Sequence, residues 1–332
     1  MNQHTRTFEA KPAVRESVPL LVGLMGCSGS GKTFSALRLA TGIQSVVGGD
    51  IFGIDTEARR MLHYADQFKF KHIEFNAPFG SLDYLAAIEH CIKQGAKVIV
   101  IDSMTHEHSG PGGYLLTQDA EVERMAGNDY AKRERVKMAG WIKPSALRQR
   151  MISGILQMNA NFIFCFRAKE KTKPVKGGGI QELGFMPIAG EELLFEQTVN
   201  CLLPPKSGGI PQWRSDQIGE RMMMKLPKQF ESVFPENKTL DESTGAALAT
   251  WARGGSAAPA ETQLAPAAGA AEETTDDLMA WDSKLATAAL QGTDSLRETW
   301  NTVPKPLKKT LEAALRNRHQ PSATEADAKA PA

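Results

Sequence analysis

Cysteine pairs are missing from this sequence. Its four cysteines, Cys27, Cys91, Cys165 and Cys201, lie far apart with no C-x-x-C spacing, which argues against a disulfide framework or a paired-thiol site. Three of them sit in or beside apolar runs, so buried free thiols in a reducing compartment are expected. An excess of charge of one sign is also missing. The formal net charge is +1, so composition alone announces neither a nucleic-acid nor a membrane partner, and either must be argued from local clusters. The first residues, Met1 to Ser17, are polar and contain no apolar leader. No apolar run approaches the length of a membrane span. The expectation is a soluble, cytoplasmic protein with no membrane partner.

What is present begins with a core. With 332 residues, 42% of them hydrophobic, the chain can fold as one large domain with an appendage. The apolar run Leu20–Met25 leads into Gly26-Cys27-Ser28-Gly29-Ser30-Gly31-Lys32-Thr33 and then into a helical pattern to about Ile43. Strand, G-x-x-x-x-G-K-T turn and helix together make a P-loop. Its glycines let successive backbone N–H groups point inward at a triphosphate, and the helix adds the positive end of its dipole. Lys32 is expected to reach the β- and γ-phosphates of ATP, and the Thr33 hydroxyl to hold Mg²⁺.

Further apolar runs end in polar residues. Ile51–Asp55 is followed by Thr56-Glu57, Val98–Ile101 by Asp102-Ser103, and Asn161–Phe166 by Arg167. In a parallel sheet covered by helices, such strand ends converge beside the phosphate loop. Asp102 is the expected second Mg²⁺-side carboxylate. Ser103 follows it where many P-loop ATPases place a glutamate, so the group that positions the attacking water must come from elsewhere. Glu57 is the first candidate and Glu107 the second. Arg167 either senses the γ-phosphate or pairs with Asp102 or Glu57.

The remaining chain predicts a helix from Ser81, a mostly helical stretch over 112–158 broken by Gly127-Asn128 and Pro144, a glycine-rich loop over 169–190, strands at 199–203 and 222–226, and a closing helix at 243–253. The fold class is a doubly wound α/β domain, mostly parallel, over 18–253. A flexible arm (1–17), a linker (254–275), a small helical module (276–318) and a disordered tail (319–332) complete the chain. Leu278, Trp281, Leu285, Leu296, Trp300, Leu307, Leu311 and Leu315 carry the module's helical pattern. His106-x-His108 lacks further ligands nearby and predicts solvent-facing histidines rather than a metal site.

The strand-end residues resemble those of the RecA-like branch of P-loop ATPases. More narrowly, Ile54–Arg60 and Ile101–Glu107 resemble the RecA-like ATPases of tailed bacteriophages, some of which anneal or recombine single strands. The resemblance covers about 18–253. It implies a RecA-like fold, ATP hydrolysis with Mg²⁺, a single-stranded DNA partner, assembly of copies into a ring or filament, and a host-cell cytoplasmic location. Arg167 departs from the glutamine expected at that strand end. Two basic stretches agree with DNA contact. One holds Lys132, Arg133, Arg135, Lys137, Lys143, Arg148 and Arg150, with Tyr130 and Trp141 interleaved. The other holds Lys169, Lys171, Lys173 and Lys176. Two other functions share the P-loop: a small-molecule kinase, with the basic segment as its lid, and a nucleotide-gated assembly protein reaching a protein partner through 276–318.

Overall fold

A computed structural model describes residue 10 and residues 18–175, 179–254, 275–304, 307–308, 311–312 and 315–329. The arm over 1–17 (residue 10 aside), the linker over 255–274 and Lys176 therefore lie outside the described residues. The chain divides into two units, Met1–Glu261 and Thr262–Ala332.

In the first unit, six described strands run parallel: β1 (Leu21–Gly26), β2 (Asp50–Asp55), β3 (Lys71–Glu74), β4 (Ala96–Asp102), β5 (Asn161–Pro174) and, after an antiparallel β6 (Ile180–Pro187), β7 (Val199–Leu203). Their order across the sheet is β3-β2-β4-β5-β1-β7. β1, β2, β4, β7 and β5 as far as Phe166 are mostly buried on both faces, which is why they read as apolar runs, whereas β3 at the sheet edge is half-exposed. Along β4, Val98 and Val100 face the cluster built with α1 (Lys32–Val47) and α9 (Glu242–Ala252). Ile99 and Ile101 face the cluster built with α2 (Ser81–Lys93) and α6 (Ile142–Leu156). The result is three layers, helix–sheet–helix.

This order positions the site. β5 lies between the P-loop strand β1 and the Asp102 strand β4. Its carboxyl end therefore stands at the centre of the sheet's ligand edge, flanked by Gly26 (opposite Arg167) and Asp102 (opposite Cys165).

Four sequence expectations are corrected. The segment 169–190 is not a loop. β5 runs on past Arg167 to Pro174 and pairs antiparallel with β6, from Ala168–Pro187 to Pro174–Ile180, with a bulge beside Lys171. β5 is exposed from Lys169 onward, and β6 is exposed over Ile180–Glu182 and half-buried over Leu183–Met186, so no apolar alternation marks them. The strand expected at 222–226 is instead the end of α8 (Ile218–Met223), in which Met223 is buried and Met222 exposed, followed by a single bridge from Lys225 to Asn200. Pro144 does not interrupt a helix. It stands in the first turn of α6, where a missing N–H costs nothing. Gln320–Lys329 is helical where disorder was expected, with its proline again in the first turn.

In the second unit, Leu285, Leu296, Val303, Leu307, Leu311 and Leu315 form one apolar cluster with Trp281 and Trp300 packed against it. The side chain of Leu278 is outside the described residues. No helix among the described residues is long and apolar enough to cross a membrane.

Candidate nucleotide site

The phosphate loop is set by backbone geometry. Gly29 and Gly31 adopt φ of +76° and +87°, the left-handed region that L side chains resist, and Gly31 caps α1. Lys32 is buried and donates to two carbonyls of its own loop, Gly26 O at 3.0 Å and Cys27 O at 2.7 Å. Its charge is thus held inside the turn that a phosphate would enter. The Ser30 hydroxyl is buried with no hydrogen-bond partner among the described residues, so the loop retains an unmatched donor. Cys27 is a half-buried free thiol in this turn, whereas Cys91, Cys165 and Cys201 are buried.

Across the sheet edge, the Thr33 hydroxyl donates to Asp102 Oδ2. Burial pushes the Asp102 carboxyl up to about 6. The Thr33 hydrogen bond and Lys32 oppose the rise, and the negative charges of Glu57 and Asp55 add to it. A divalent cation against these two oxygens would favour the ionised form and relieve that cost. The unmatched Ser30 donor, the inward Lys32 and the hard oxygen pair Thr33–Asp102 fit a magnesium–nucleotide complex.

Glu57 is held from two directions. Asp55, at the end of β2 and only 1% exposed, accepts from Glu57 N at 2.8 Å and Met61 N at 2.9 Å, and its Oδ2 lies 3.2 Å from His72 Nε2. These bonds pin a tight turn in which Ala58 and Arg59 both adopt left-handed φ, +55° and +65°. Such a conformation costs about 1 kcal/mol or more at a non-glycine residue. The Glu57 carboxylate then meets Arg167 in a two-point ion pair. Arg167 Nε donates to Oε1 at 2.7 Å, and Nη2 donates to Oε2. Glu57 is 9% exposed in this pair and Arg167 41%. Of the two pairing partners expected for Arg167, Glu57 is the one it meets.

Residues that sequence reasoning passed over tie these strand ends together. Thr56 Oγ1 donates to Ser103 O at 3.1 Å and accepts from Ser103 N at 2.8 Å. It also lies 2.8 Å from His106 Nδ1. Because the hydroxyl proton is used on Ser103, the imidazole proton belongs on Nδ1. Tyr84 donates to the same Ser103 carbonyl at 2.8 Å. Thr105 Oγ1 accepts from Arg167 N at 2.8 Å. His106 stacks on Phe79 at 4.9 Å, and burial lowers its pKa. The only advance signal was the polar cluster after each apolar run.

Glu107, the second candidate for water positioning, is committed elsewhere. Its carboxylate accepts from Ser81 Oγ at 2.6 Å and from Arg148 at 3.1 and 2.8 Å. Both members of the ion pair are about 5% exposed or less. Arg148 also lies over the Tyr114 ring, 3.4 Å from its centre, and donates to His108 Nδ1 at 3.0 Å. Burial and the Arg148 charge both lower the His108 pKa. The expectation of solvent-facing histidines is thus corrected, since both are half-buried and bonded. No group of three His, Cys, Asp or Glu among the described residues forms a metal site. The first basic stretch is also broken up. Arg148 is internal and Lys143 pairs with Glu121 at 2.6 Å, which leaves Lys132, Arg135, Lys137 and Arg150 exposed.

In the second basic stretch, Lys169, Lys171 and Lys173 are exposed and alternate along β5. They therefore share one face of the β5–β6 ribbon, which grows directly from Arg167.

A family model described as an AAA domain matches residues 19–203, more than half the chain, ending at the last residue of β7. No curated protein matches the chain. Among solved structures, it is similar to a KaiC-like protein from the hyperthermophilic archaeon Pyrococcus horikoshii OT3. The identity is 16% and the TM-score 0.27, over 52% of this chain and 86% of that one.

Proposed function

Because the chain belongs to the AAA domain family, a family of nucleotide-binding P-loop domains, we propose that it is a RecA-like ATPase that binds single-stranded DNA on the β5–β6 ribbon and couples that binding to hydrolysis. The observation that carries the reading is the Glu57–Arg167 ion pair. It joins the carboxylate best placed to orient water to the residue from which the lysine-bearing ribbon springs.

Bound Mg²⁺–ATP would supply the scissile γ-phosphoryl group and a concentration of charge at the loop. Lys32 exchanges the Gly26 and Cys27 carbonyls for phosphate oxygens. Thr33 and Asp102 hold the cation, Asp102 directly or through water. Glu57 orients the attacking water once Arg167 loosens its grip, and the displaced guanidinium shifts the root of the ribbon. The fusion of sensing and DNA-contacting residues in one continuous strand makes the coupling short. The resemblance of Ile54–Arg60 and Ile101–Glu107 to phage-encoded RecA-like ATPases supports a role in phage recombination or replication. The nucleotide site is expected to work in a ring or filament of copies.

The DNA assignment is tested by fluorescence anisotropy of a labelled single strand over a salt series. Each lysine–phosphate contact contributes about 0.7 to the slope of log K against log salt. Replacing Lys169, Lys171 and Lys173 together by alanine is expected to flatten that slope by about 2. No binding by the wild type at low salt overturns the assignment.

A further inference from the structure

A cavity beside the phosphate loop is not used by the chemistry above. After β7 the chain turns through 204–209, and the Gly209 backbone packs against the start of α1. Its nitrogen lies 3.7 Å from the Cβ position of Gly31, and Ser35 Oγ lies 3.0 Å from its own Cβ position. The chain then returns antiparallel to β7, with Gln212 and Leu202 exchanging backbone bonds at 2.7 and 3.1 Å. Leu240 N donates to Gly209 O at 3.1 Å, which brings the 231–240 segment alongside. Between these two segments is a 370 Å³ cavity lined by, among others, Ile210, Trp213, Arg214, Glu231, Phe234 and Asn237.

We propose that this cavity receives the purine base of the nucleoside triphosphate whose phosphates lie on Gly26–Thr33. The proposal rests on the nucleotide reading above and adds where the base goes. The cavity starts at Ile210, one residue from the contact with the phosphate loop. Its volume falls in the usual range for small-ligand sites, about 300–1,000 Å³. Trp213 and Phe234, with ring centres 4.6 Å apart, give it an aromatic wall suited to a flat heterocycle. The buried Trp213 Nε1 finds no acceptor among the described residues. An indole nitrogen can only donate, so a purine ring nitrogen is a suitable partner after a small shift. Exposed Glu231 and Asn237 at the wall can accept from an exocyclic amino group. A second aromatic group near the loop, Phe34 with Tyr64 and Phe68 at 5.8 and 5.5 Å between ring centres, is the competing place for the base.

The test compares ATP, CTP and inorganic tripolyphosphate, each with Mg²⁺, by titration calorimetry on the full chain and on Trp213→Leu. Wild type is expected to bind ATP roughly tenfold or more tightly than CTP or tripolyphosphate. Trp213→Leu is expected to shrink that gap to about twofold and leave tripolyphosphate binding unchanged. Equal affinity of wild type for ATP and tripolyphosphate, or an undiminished gap in the variant, overturns the proposal. If wild type binds neither ATP nor tripolyphosphate, the phosphate-loop reading falls and the proposal with it. If Trp213→Leu does not fold, photolabelling of wild type with 8-azido-ATP decides. Label within 210–237 supports the site; label on Tyr64 or Phe68, or no label in 210–237, overturns it.

Discussion

Replacing Glu57 by glutamine is expected to lower phosphate release by about 10²–10⁴-fold, the usual contribution of a positioned acid–base group, while nucleotide binding stays intact. The side chain keeps its length and can still meet Arg167, so the turn held by Asp55 is preserved. What is lost is the carboxylate charge that draws a proton from water. Phosphate release measured beside equilibrium nucleotide binding separates the two effects. A variant that turns over at the wild-type rate would remove Glu57 from the chemistry. The role could not then pass to Glu107, because Ser81 and Arg148 already occupy that carboxylate.

The largest stability loss is expected from Arg148→Ala. The guanidinium is buried against Glu107, His108 and the face of Tyr114. Removing it strands the Glu107 carboxylate in a low-dielectric interior, a loss of about 3–5 kcal/mol. Exposed ion pairs in this chain, such as Arg59–Glu74, contribute about 0–1 kcal/mol by comparison. Urea denaturation measures the difference. The double replacement Glu107→Leu with Arg148→Met is expected to recover much of the loss, since a buried pair often gives way to apolar side chains at little cost. If Arg148→Ala unfolds at the wild-type urea concentration, the pair contributes nothing to stability.

Much of the site was legible in the sequence because its residues stand at the ends of unbroken apolar runs. A strand buried on both faces announces itself by composition, and its first polar residue marks the ligand edge. Gly26–Thr33, by its motif, and Glu57, Asp102 and Arg167 are candidates on this ground, and the structure brings Glu57 to Arg167 and Thr33 to Asp102. The β5–β6 ribbon was not legible. Its β5 half is exposed from Lys169 to Pro174 and carries lysine and glutamate where apolar alternation would be sought, and its half-buried apolar residues, Phe185 and Met186, are adjacent rather than alternating. Glu107 was open to misreading because its partner, Arg148, is 41 residues away in sequence. Asp55 looked like a strand end, yet it shapes the strained turn that aims Glu57. Such a role depends on backbone bonds that no residue spacing reveals.

The proposed coupling runs along one continuous path from Glu57 through Arg167 to the lysines of the ribbon. Its most direct test is the affinity of a labelled single strand for the wild type and for Arg167→Ala, each measured without nucleotide and with a non-hydrolysable ATP analogue and Mg²⁺. The wild type is expected to change its affinity by about 5–150-fold between the two states, the span of a typical coupling free energy. Arg167→Ala is expected to bind with the same affinity in both. A wild type that binds the strand equally well with and without the analogue would contradict the account.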